Sequence, residues 1–168
     1  MRIFLIGYMY SGKTTLGKKL ASRLGLSYLD MDRYIEEKEG RSVSEIFSSL
    51  GEEEFRRLES DALREIIKED NLVVSTGGGT PVYNNNMDII KRSGLSIYLK
   101  ISPQSIIYRH QRTNNPRPLL SGLNPLELKE YIEDSLSKRE VYYNQADIVI
   151  KGESLSIDDL LMLIEFRS

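Results

Sequence analysis

The sequence predicts an α/β fold, a three-layer sandwich in which a five-stranded parallel sheet has helices on both faces. Five short apolar runs alternate with segments of helical periodicity, and these runs are residues 3–6, 27–30, 72–75, 96–100 and 147–150. Parallel neighbours need crossover connections, which the intervening helices supply. With 168 residues, no internal repeat and no linker, the chain corresponds to a single domain over residues 1–168.

The first strand leads into a glycine-rich turn. Residues 7–14, GYMYSGKT, fit the pattern G-x-x-x-x-G-K-[ST], in which backbone N–H groups surround a polyphosphate, the lysine reaches the β- and γ-phosphates and the threonine hydroxyl binds magnesium. The strand before it and the amphipathic helix at 14–24 favour this P-loop over an ordinary glycine turn. We expect Mg²⁺ and ATP to bind here, on Gly7, Tyr10, Ser11, Gly12, Lys13, Thr14 and Thr15.

Helical patterns fill most of the remaining chain. Ser102-Pro103 and Asn124-Pro125 each have the form of an N-cap followed by proline at the first helical position. The segment 111–124 is rich in Asn, Pro, Gly and Arg and has no period, so it predicts a loop able to act as a lid. The further helices are expected at 31–40, 42–50, 52–69, 84–92, 103–109, 125–143 and 156–166.

Composition restricts the possible partners. The chain has 23 basic and 25 acidic residues and a formal charge of −2, so no global field favours nucleic acid or an anionic membrane. It has no cysteine, which excludes thiolate ligands and is compatible with a reducing compartment. The lone histidine, His110, is expected at an exposed helix end. We expect a soluble, cytoplasmic monomer.

Polar residues follow three of the predicted strands, where open parallel sheets bind their ligands. Asp30 is the natural carboxylate to support magnesium beside the P-loop, since magnesium takes few protein ligands. Asp32, two residues on, shares its face if the chain is still extended and would contact the acceptor hydroxyl. The alternative for either acid is an N-cap of the next helix. The glycines 77–79 let backbone approach a small ligand, or form a plain tight turn.

Arginines supply candidate sites for an anionic acceptor. Arg139 lies on the inward face of its helix, and a buried arginine needs an anion. A substrate carboxylate shared with Arg56 would satisfy it; the alternative is a structural bridge to an acid such as Glu59. Arg117, between two prolines of the lid segment, suits a guanidinium that closes on the transferring phosphoryl group. The apolar positions that define the inward face are Leu128, Ile132 and Leu136.

Taken together, these motifs resemble the shikimate kinase family over nearly the whole chain. The segments that carry the resemblance are GYMYSGKT (7–14), YLDMDRYIE (28–36), GEEEFRRLE (51–59), STGGGT (75–80), RPLL (117–120) and SKREVYY (137–143). The resemblance implies a P-loop kinase fold of the nucleoside-monophosphate-kinase type with strand order 2-3-1-4-5. It also implies an acceptor-binding region at about residues 31–60 and a lid at about 111–124.

By resemblance, each matched position has a role. Lys13, Asp32 and Arg117 are implied as catalytic residues, and Thr14 and Asp30 as the magnesium site. Shikimate is implied to bind Asp32, Arg56, Arg139 and the glycines Gly77, Gly78 and Gly79, with both arginines on its carboxylate. One departure is Tyr10, where the family usually has glycine.

The resulting hypothesis is ATP-dependent phosphorylation of the 3-hydroxyl of shikimate, in the pathway to chorismate and the aromatic amino acids. A related small-metabolite kinase such as gluconate kinase is the alternative within the enzyme class, because the two arginines suit any sugar-like acid. A nucleotide-binding regulatory module without turnover is the alternative outside it.

Overall fold

The computed structural model describes residues 1–114, 120–154 and 156–166. Strands and helices alternate along this part of the chain, as the sequence predicts. The strands are β1 (Arg2–Ile6), β2 (Ser27–Asp30), β3 (Leu72–Ser75), β4 (Leu95–Lys100) and β5 (Ile148–Lys151). The helices are α1 (Lys13–Leu24), α2 (Met31–Glu39), α3 (Val43–Ile66), α4 (Asn86–Ser93), α5 (Pro103–Gln111), α6 (Pro125–Tyr143) and α7 (Ile157–Glu165).

The five strands form one parallel sheet in the order β2-β3-β1-β4-β5. This order confirms the one that the family resemblance implies. Strand β1 lies in the centre, with Leu5 opposite Ser75 of β3 and Ile6 opposite Tyr98 of β4. On the far side of β3, Asp30 is in register with Ser75. The carboxyl ends of β1, β2 and β3 therefore meet at one edge.

The sheet has a hydrophobic core on each face, because successive side chains of a strand point in opposite directions. In β1, Ile3 and Leu5 belong to one core and Phe4 and Ile6 to the other. Helices α1 and α7 cover the first core, and α2 to α6 cover the second. The predicted three-layer arrangement is confirmed.

Helix α3 carries a break at the position where the sequence predicts a boundary between two helices. Gly51 has φ 84° and ψ 171°, outside the helical region, so that 43–50 and 52–66 are two helical segments in tandem. The second segment ends at Ile66, before the predicted residue 69. The Arg2 guanidinium donates hydrogen bonds to the carbonyls of Ile67 and Glu69 just beyond this end, which satisfies carbonyls that helix ends leave unpaired.

A 3-10 turn that the sequence did not predict follows the glycine segment at Thr80–Val82. Asn84 and Asn85 after it have left-handed backbone, φ 53° and 56°, and α4 begins only at Asn86, two residues later than expected. Asparagine tolerates this conformation better than most residues. The turn brings Thr80 and Gly79 back toward α3, which matters for the site described next.

Candidate functional site

The site lies at the carboxyl edge of the sheet. The segment 7–12 connects β1 to α1, α2 begins directly after Asp30, and the glycines 77–79 follow β3. Because β2, β3 and β1 are neighbours, these three segments are adjacent in space. The general rule that ligands bind beyond the carboxyl ends of such strands therefore applies to residues chosen from the sequence alone.

The P-loop has backbone angles that its glycines permit. Gly7 has φ 153° and Gly12, the N-cap of α1, has φ 94°. No side chain caps α1 at Gly12, and an α-helix N-terminus favours an anion such as phosphate. Ser11 is buried within the loop, whereas Thr15 lies exposed on the first turn of α1.

Lys13 is held inside the loop by its own backbone. Its Nζ donates to the carbonyl oxygens of Gly7 at 2.7 Å and Tyr8 at 2.9 Å, with the Ser11 hydroxyl at 3.4 Å. The ammonium group thus binds oxygen atoms of the P-loop itself. Its role at phosphate stays a prediction.

Tyr10 adopts left-handed backbone, φ 65°, which costs an L-residue other than glycine about 1 kcal/mol. Two contacts with α5 hold it there: the Arg109 guanidinium donates to the Tyr10 carbonyl at 2.6 Å, and the Tyr10 hydroxyl lies 3.1 Å from Nδ1 of His110. The expectation that His110 is exposed was wrong, because the ring is half-buried against Tyr10. Arg112 is exposed and stacks on Tyr108.

Asp30 uses its two carboxylate oxygens for different contacts. Its Oδ1 accepts from the backbone N–H groups of Asp32 and Arg33, which makes it the N-cap of α2. Its Oδ2 accepts from the Thr14 hydroxyl at 3.3 Å and from the Tyr28 hydroxyl at 3.4 Å. The cap fixes the carboxylate so that one oxygen faces the P-loop.

Thr14 and Asp30 together present two hard oxygen donors at the exposed edge of the loop. Mg²⁺ prefers such ligands and keeps several waters, so it needs few of them from the protein. The residues present therefore fit a magnesium ion that is shared with nucleotide phosphates. Within the described part of the chain, no group of three or more His, Cys, Asp or Glu side chains forms a denser metal site.

Asp32 lies in the first turn of α2, with its carboxylate against Gly77. A Cβ placed on Gly77 would come within 2.9 Å of Asp32 Oδ1 and 2.7 Å of Glu59 Oε1. A side chain at position 77 would therefore displace both acids. The absence of a side chain at position 77 lets two carboxylates approach the backbone after β3, as expected for a glycine that admits a close contact.

Arg56 forms the structural bridge that the sequence offered as an alternative. Its guanidinium donates to Glu59 at 2.6 Å and to Glu52 at 3.1 Å, and its plane lies 4.3 Å from the ring centroid of Tyr83. Burial lowers the pKa of Arg56, but the charge and hydrogen bond of Glu59 and the hydrogen bond of Glu52 outweigh this, so the net pKa is raised. A Cβ on Gly79 would collide with this guanidinium.

Arg139 differs from Arg56 in its partners. It is half-buried, its guanidinium carbon lies 5.1 Å from the centroid of the Tyr8 ring, and its NH1 lies 3.1 Å from where a Cβ on Gly78 would be. Among the described residues, no carboxylate lies within 4.0 Å of it. The bridge to Glu59 is therefore made by Arg56 and not by Arg139.

Arg117 belongs to residues 115–119, which lie outside the described residues, and so does most of the predicted lid motif. Leu120, the last residue of that motif, is buried in the core that α2 to α6 cover.

Sequence reasoning missed Tyr143, and it named Glu59 only as a possible partner of the arginines. Glu59 is almost fully buried and accepts from both Arg56 and the Thr80 hydroxyl, the latter at 2.7 Å. Tyr143 donates from its hydroxyl to the Gly78 carbonyl. The spacing of Arg56 and Glu59 signals their pairing, but no local pattern signals the bonds to Thr80 or Gly78, because these partners are 21 and 65 residues away.

Fold and site together define a P-loop kinase in which two arginines lie beside the glycines that follow β3. The sequence model for shikimate kinase matches residues 9–164. The shikimate kinase of Azobacteroides pseudotrichonymphae is 43% identical over 161 residues, which cover 95% of each chain.

Solved structures of shikimate kinases are also similar to this chain. The crystal structure of shikimate kinase from Bacteroides thetaiotaomicron superposes with a TM-score of 0.94 at 38% identity and covers 98% of both chains. Shikimate kinase from Acinetobacter baumannii, in complex with shikimate, has a TM-score of 0.89 at 33% identity and covers 99% of this chain and 94% of that one. The chain belongs to the shikimate kinase family.

Proposed function

We propose that this protein transfers the γ-phosphoryl group of ATP to the 3-hydroxyl of shikimate, giving shikimate 3-phosphate on the route to chorismate and the aromatic amino acids. The observation that carries the proposal is the position of Arg139. A half-buried guanidinium with no carboxylate within 4.0 Å among the described residues lies against Gly78, at the same sheet edge as the P-loop. It suits a small acceptor that brings its own carboxylate.

The acceptor carboxylate binds Arg139 and is shared with Arg56 in this proposal. The bonds of Arg56 to Glu52 and Glu59 use only part of the N–H donors that a guanidinium carries. The acids also hold the Arg56 plane in one orientation beside Gly79. Gly77, Gly78 and Gly79 let the ring of the acceptor approach the backbone.

Asp32 orients the acceptor hydroxyl and accepts its proton as the phosphoryl group is transferred. Its carboxylate lies beside Gly77 and two residues from Asp30, so acceptor and nucleotide meet between the two acids. Transfer of this kind is largely dissociative, and the protein contributes mainly by positioning and charge stabilisation. Lys13 and the N–H groups of the P-loop stabilise charge on the phosphoryl oxygens.

Thr14 and Asp30 would hold a magnesium ion, which would supply positive charge against the phosphates of the nucleotide. From the segment 111–124, Arg117 closes on the phosphoryl group and excludes water, which limits hydrolysis of ATP.

We further propose that the protein works as a cytoplasmic monomer on small molecules, without nucleic acid or membrane. Among the described residues, no helix has the length and apolar character needed to cross a bilayer.

The test is a coupled ADP-release assay with MgATP against shikimate, gluconate, nucleoside monophosphates and no acceptor. Rapid ADP release with shikimate only is the expected result. Turnover with gluconate but not shikimate would overturn the acceptor assignment. Nucleotide binding without turnover on any acceptor would indicate a regulatory module instead.

A further inference from the structure

Three buried tyrosines form a cluster between the P-loop, the sheet and α6. They are Tyr8 after β1, Tyr98 in β4 and Tyr143 at the end of α6, and each side chain is almost wholly removed from solvent. The rings of Tyr98 and Tyr143 are 5.0 Å apart between centroids. A buried tyrosine hydroxyl needs a hydrogen-bond partner, and the three hydroxyls satisfy this need in different ways.

Two of these hydroxyls bind side chains outside the acceptor pocket. Tyr8 lies 2.5 Å from the Ser135 hydroxyl of α6. Tyr98 donates to Glu140 at 2.9 Å, and Glu140 also pairs with Lys100 at 3.2 Å. These bonds tie the sheet to α6.

Tyr143 binds the backbone of the proposed acceptor pocket instead. Its hydroxyl donates to the carbonyl oxygen of Gly78, the middle residue of the three glycines. Arg139 is one helical turn earlier on α6, at the i,i+4 spacing that places two side chains on one face. A Cβ on the same Gly78 would lie 3.1 Å from NH1 of Arg139.

The hydroxyl of Tyr143 acts as a hydrogen-bond donor and not as a base. Burial raises its pKa to about 12, although the charge and hydrogen bonding of the nearby Arg139 act to lower it. The group is therefore protonated at neutral pH. The protonated hydroxyl donates to the Gly78 carbonyl and also interacts with the Arg139 guanidinium, so it contacts both partners.

We propose that Tyr143 is a positioning residue for the acceptor: by binding the Gly78 carbonyl, it holds the glycine loop and Arg139 in the one relative geometry that receives a carboxylate-bearing substrate. This inference rests on the proposed function, because it concerns the same pocket. Tyr143 touches neither reacting atom, and its effect passes through Gly78 and Arg139.

Tyr143→Phe removes the hydroxyl and keeps the ring that packs on Tyr98. One lost hydrogen bond is worth about 1 kcal/mol, so we expect the KM for shikimate to rise about fivefold, with the KM for MgATP changed by less than about twofold. Tyr98→Phe is the matched control. It makes the same chemical change in the same cluster, removes a hydrogen bond to Glu140 that is at least as strong, and should leave both KM values unchanged.

Amide hydrogen exchange of residues 76–80 gives a second measurement that needs no turnover. We expect faster exchange in Tyr143→Phe than in Tyr98→Phe, because only the former frees the Gly78 carbonyl. If Tyr143→Phe does not fold at room temperature, the exchange and kinetic comparisons are made at a lower temperature. Urea unfolding at that temperature first checks that both variants are folded.

The outcomes separate this inference from the proposed function. A wild-type chain without shikimate turnover overturns the proposed function, and exchange at 76–80 still decides whether Tyr143 orders the loop. A wild-type chain that phosphorylates shikimate, with Tyr143→Phe unchanged in shikimate KM or equally impaired in both KM values, overturns the positioning role alone.

Discussion

Arg56 donates to the carboxylate of Glu59 at 2.6 Å, and the two side chains are only 11% and 1% exposed. They are three residues apart on α3, a spacing that on a solvated helix makes a weak surface pair. Here the Thr80 hydroxyl donates to Glu59 at 2.7 Å, and the ring of Tyr83 packs against the Arg56 guanidinium. The guanidinium is thus held in one orientation by groups of the protein itself.

Glu59→Gln should lower the free energy of unfolding by about 3 kcal/mol, because among the described residues the buried Arg56 then keeps only the exposed Glu52 as a carboxylate partner. Urea unfolding measures the change. Glu54→Gln is the control, since Glu54 pairs with Arg57 on the exposed side of the same helix and should leave the unfolding curve unmoved. Equal losses of unfolding free energy in the two variants would show that burial does not make the Arg56–Glu59 pair more stabilising than the Arg57–Glu54 pair.

Gly79→Ala should impair acceptor binding without straining the backbone. Gly79 has φ −87° and ψ −19°, which alanine adopts readily, but the added Cβ would lie 2.6 Å from the guanidinium carbon of Arg56. We expect the KM for shikimate to rise about tenfold or more, since small misplacements are costly in such sites.

Gly40→Ala provides the comparison. Gly40 caps α2 at φ 65°, and a methyl group added there would meet open space, so alanine costs about 1 kcal/mol of stability and leaves both KM values intact. A normal shikimate KM in Gly79→Ala would refute the proposed role of the glycine segment.

The raised pKa of Tyr143 makes the free energy of unfolding fall at high pH. Its pKa is about 12 in the folded protein, against a normal value of 10.0. Below the normal pKa, the folded and unfolded states both keep the proton. Between the normal and the raised pKa only the unfolded state loses it, so the free energy of unfolding falls as the pH rises. Between about pH 9 and pH 12 the wild type should therefore lose roughly 2 kcal/mol more than Tyr143→Phe. If the free energy of unfolding falls equally in the wild type and in Tyr143→Phe over this pH range, the raised pKa of Tyr143 is contradicted.

Tyr10 and His110 should be energetically coupled. Their contact joins the P-loop to the end of α5, and a single hydrogen bond of this kind contributes about 1 kcal/mol. A double-mutant cycle of Tyr10→Phe and His110→Ala, measured by urea unfolding, should give a coupling of about that size. The same cycle with Arg112→Ala, which changes an exposed neighbour, should give none. Similar coupling energies in the two cycles would show that Tyr10 and His110 make no specific contact.

The sequence predicts the sheet and the site edge well because both follow from local patterns. Buried strands, crossover helices and the P-loop signature are short-range features. The strand order, which the structure confirms, came from the family resemblance and not from these patterns. The identification of the family rests on several such segments in one order along the chain, and it is confirmed by the comparisons.

The contacts that the sequence could not predict join residues distant along the chain or depend on backbone angles. Nothing periodic links Tyr143 to Gly78, and nothing in the pattern reveals that Tyr10 adopts φ 65°. The sequence left open whether Asp30 caps α2 or supports the metal. The structure shows the cap through Oδ1, while Oδ2 accepts from the Thr14 hydroxyl, and the metal role stays a prediction.

The most direct test of the account is the kinetic effect of Arg139→Ala. If Arg139 binds the acceptor carboxylate, the substitution raises the KM for shikimate by about a hundredfold, as for a lost charge-assisted pair, and changes the KM for MgATP far less. Lys138→Ala is the control, because Lys138 is the adjacent cation, is exposed and pairs with Asp134; it should behave as wild type. Equal changes in both KM values for Arg139→Ala, or none in either, would contradict the account.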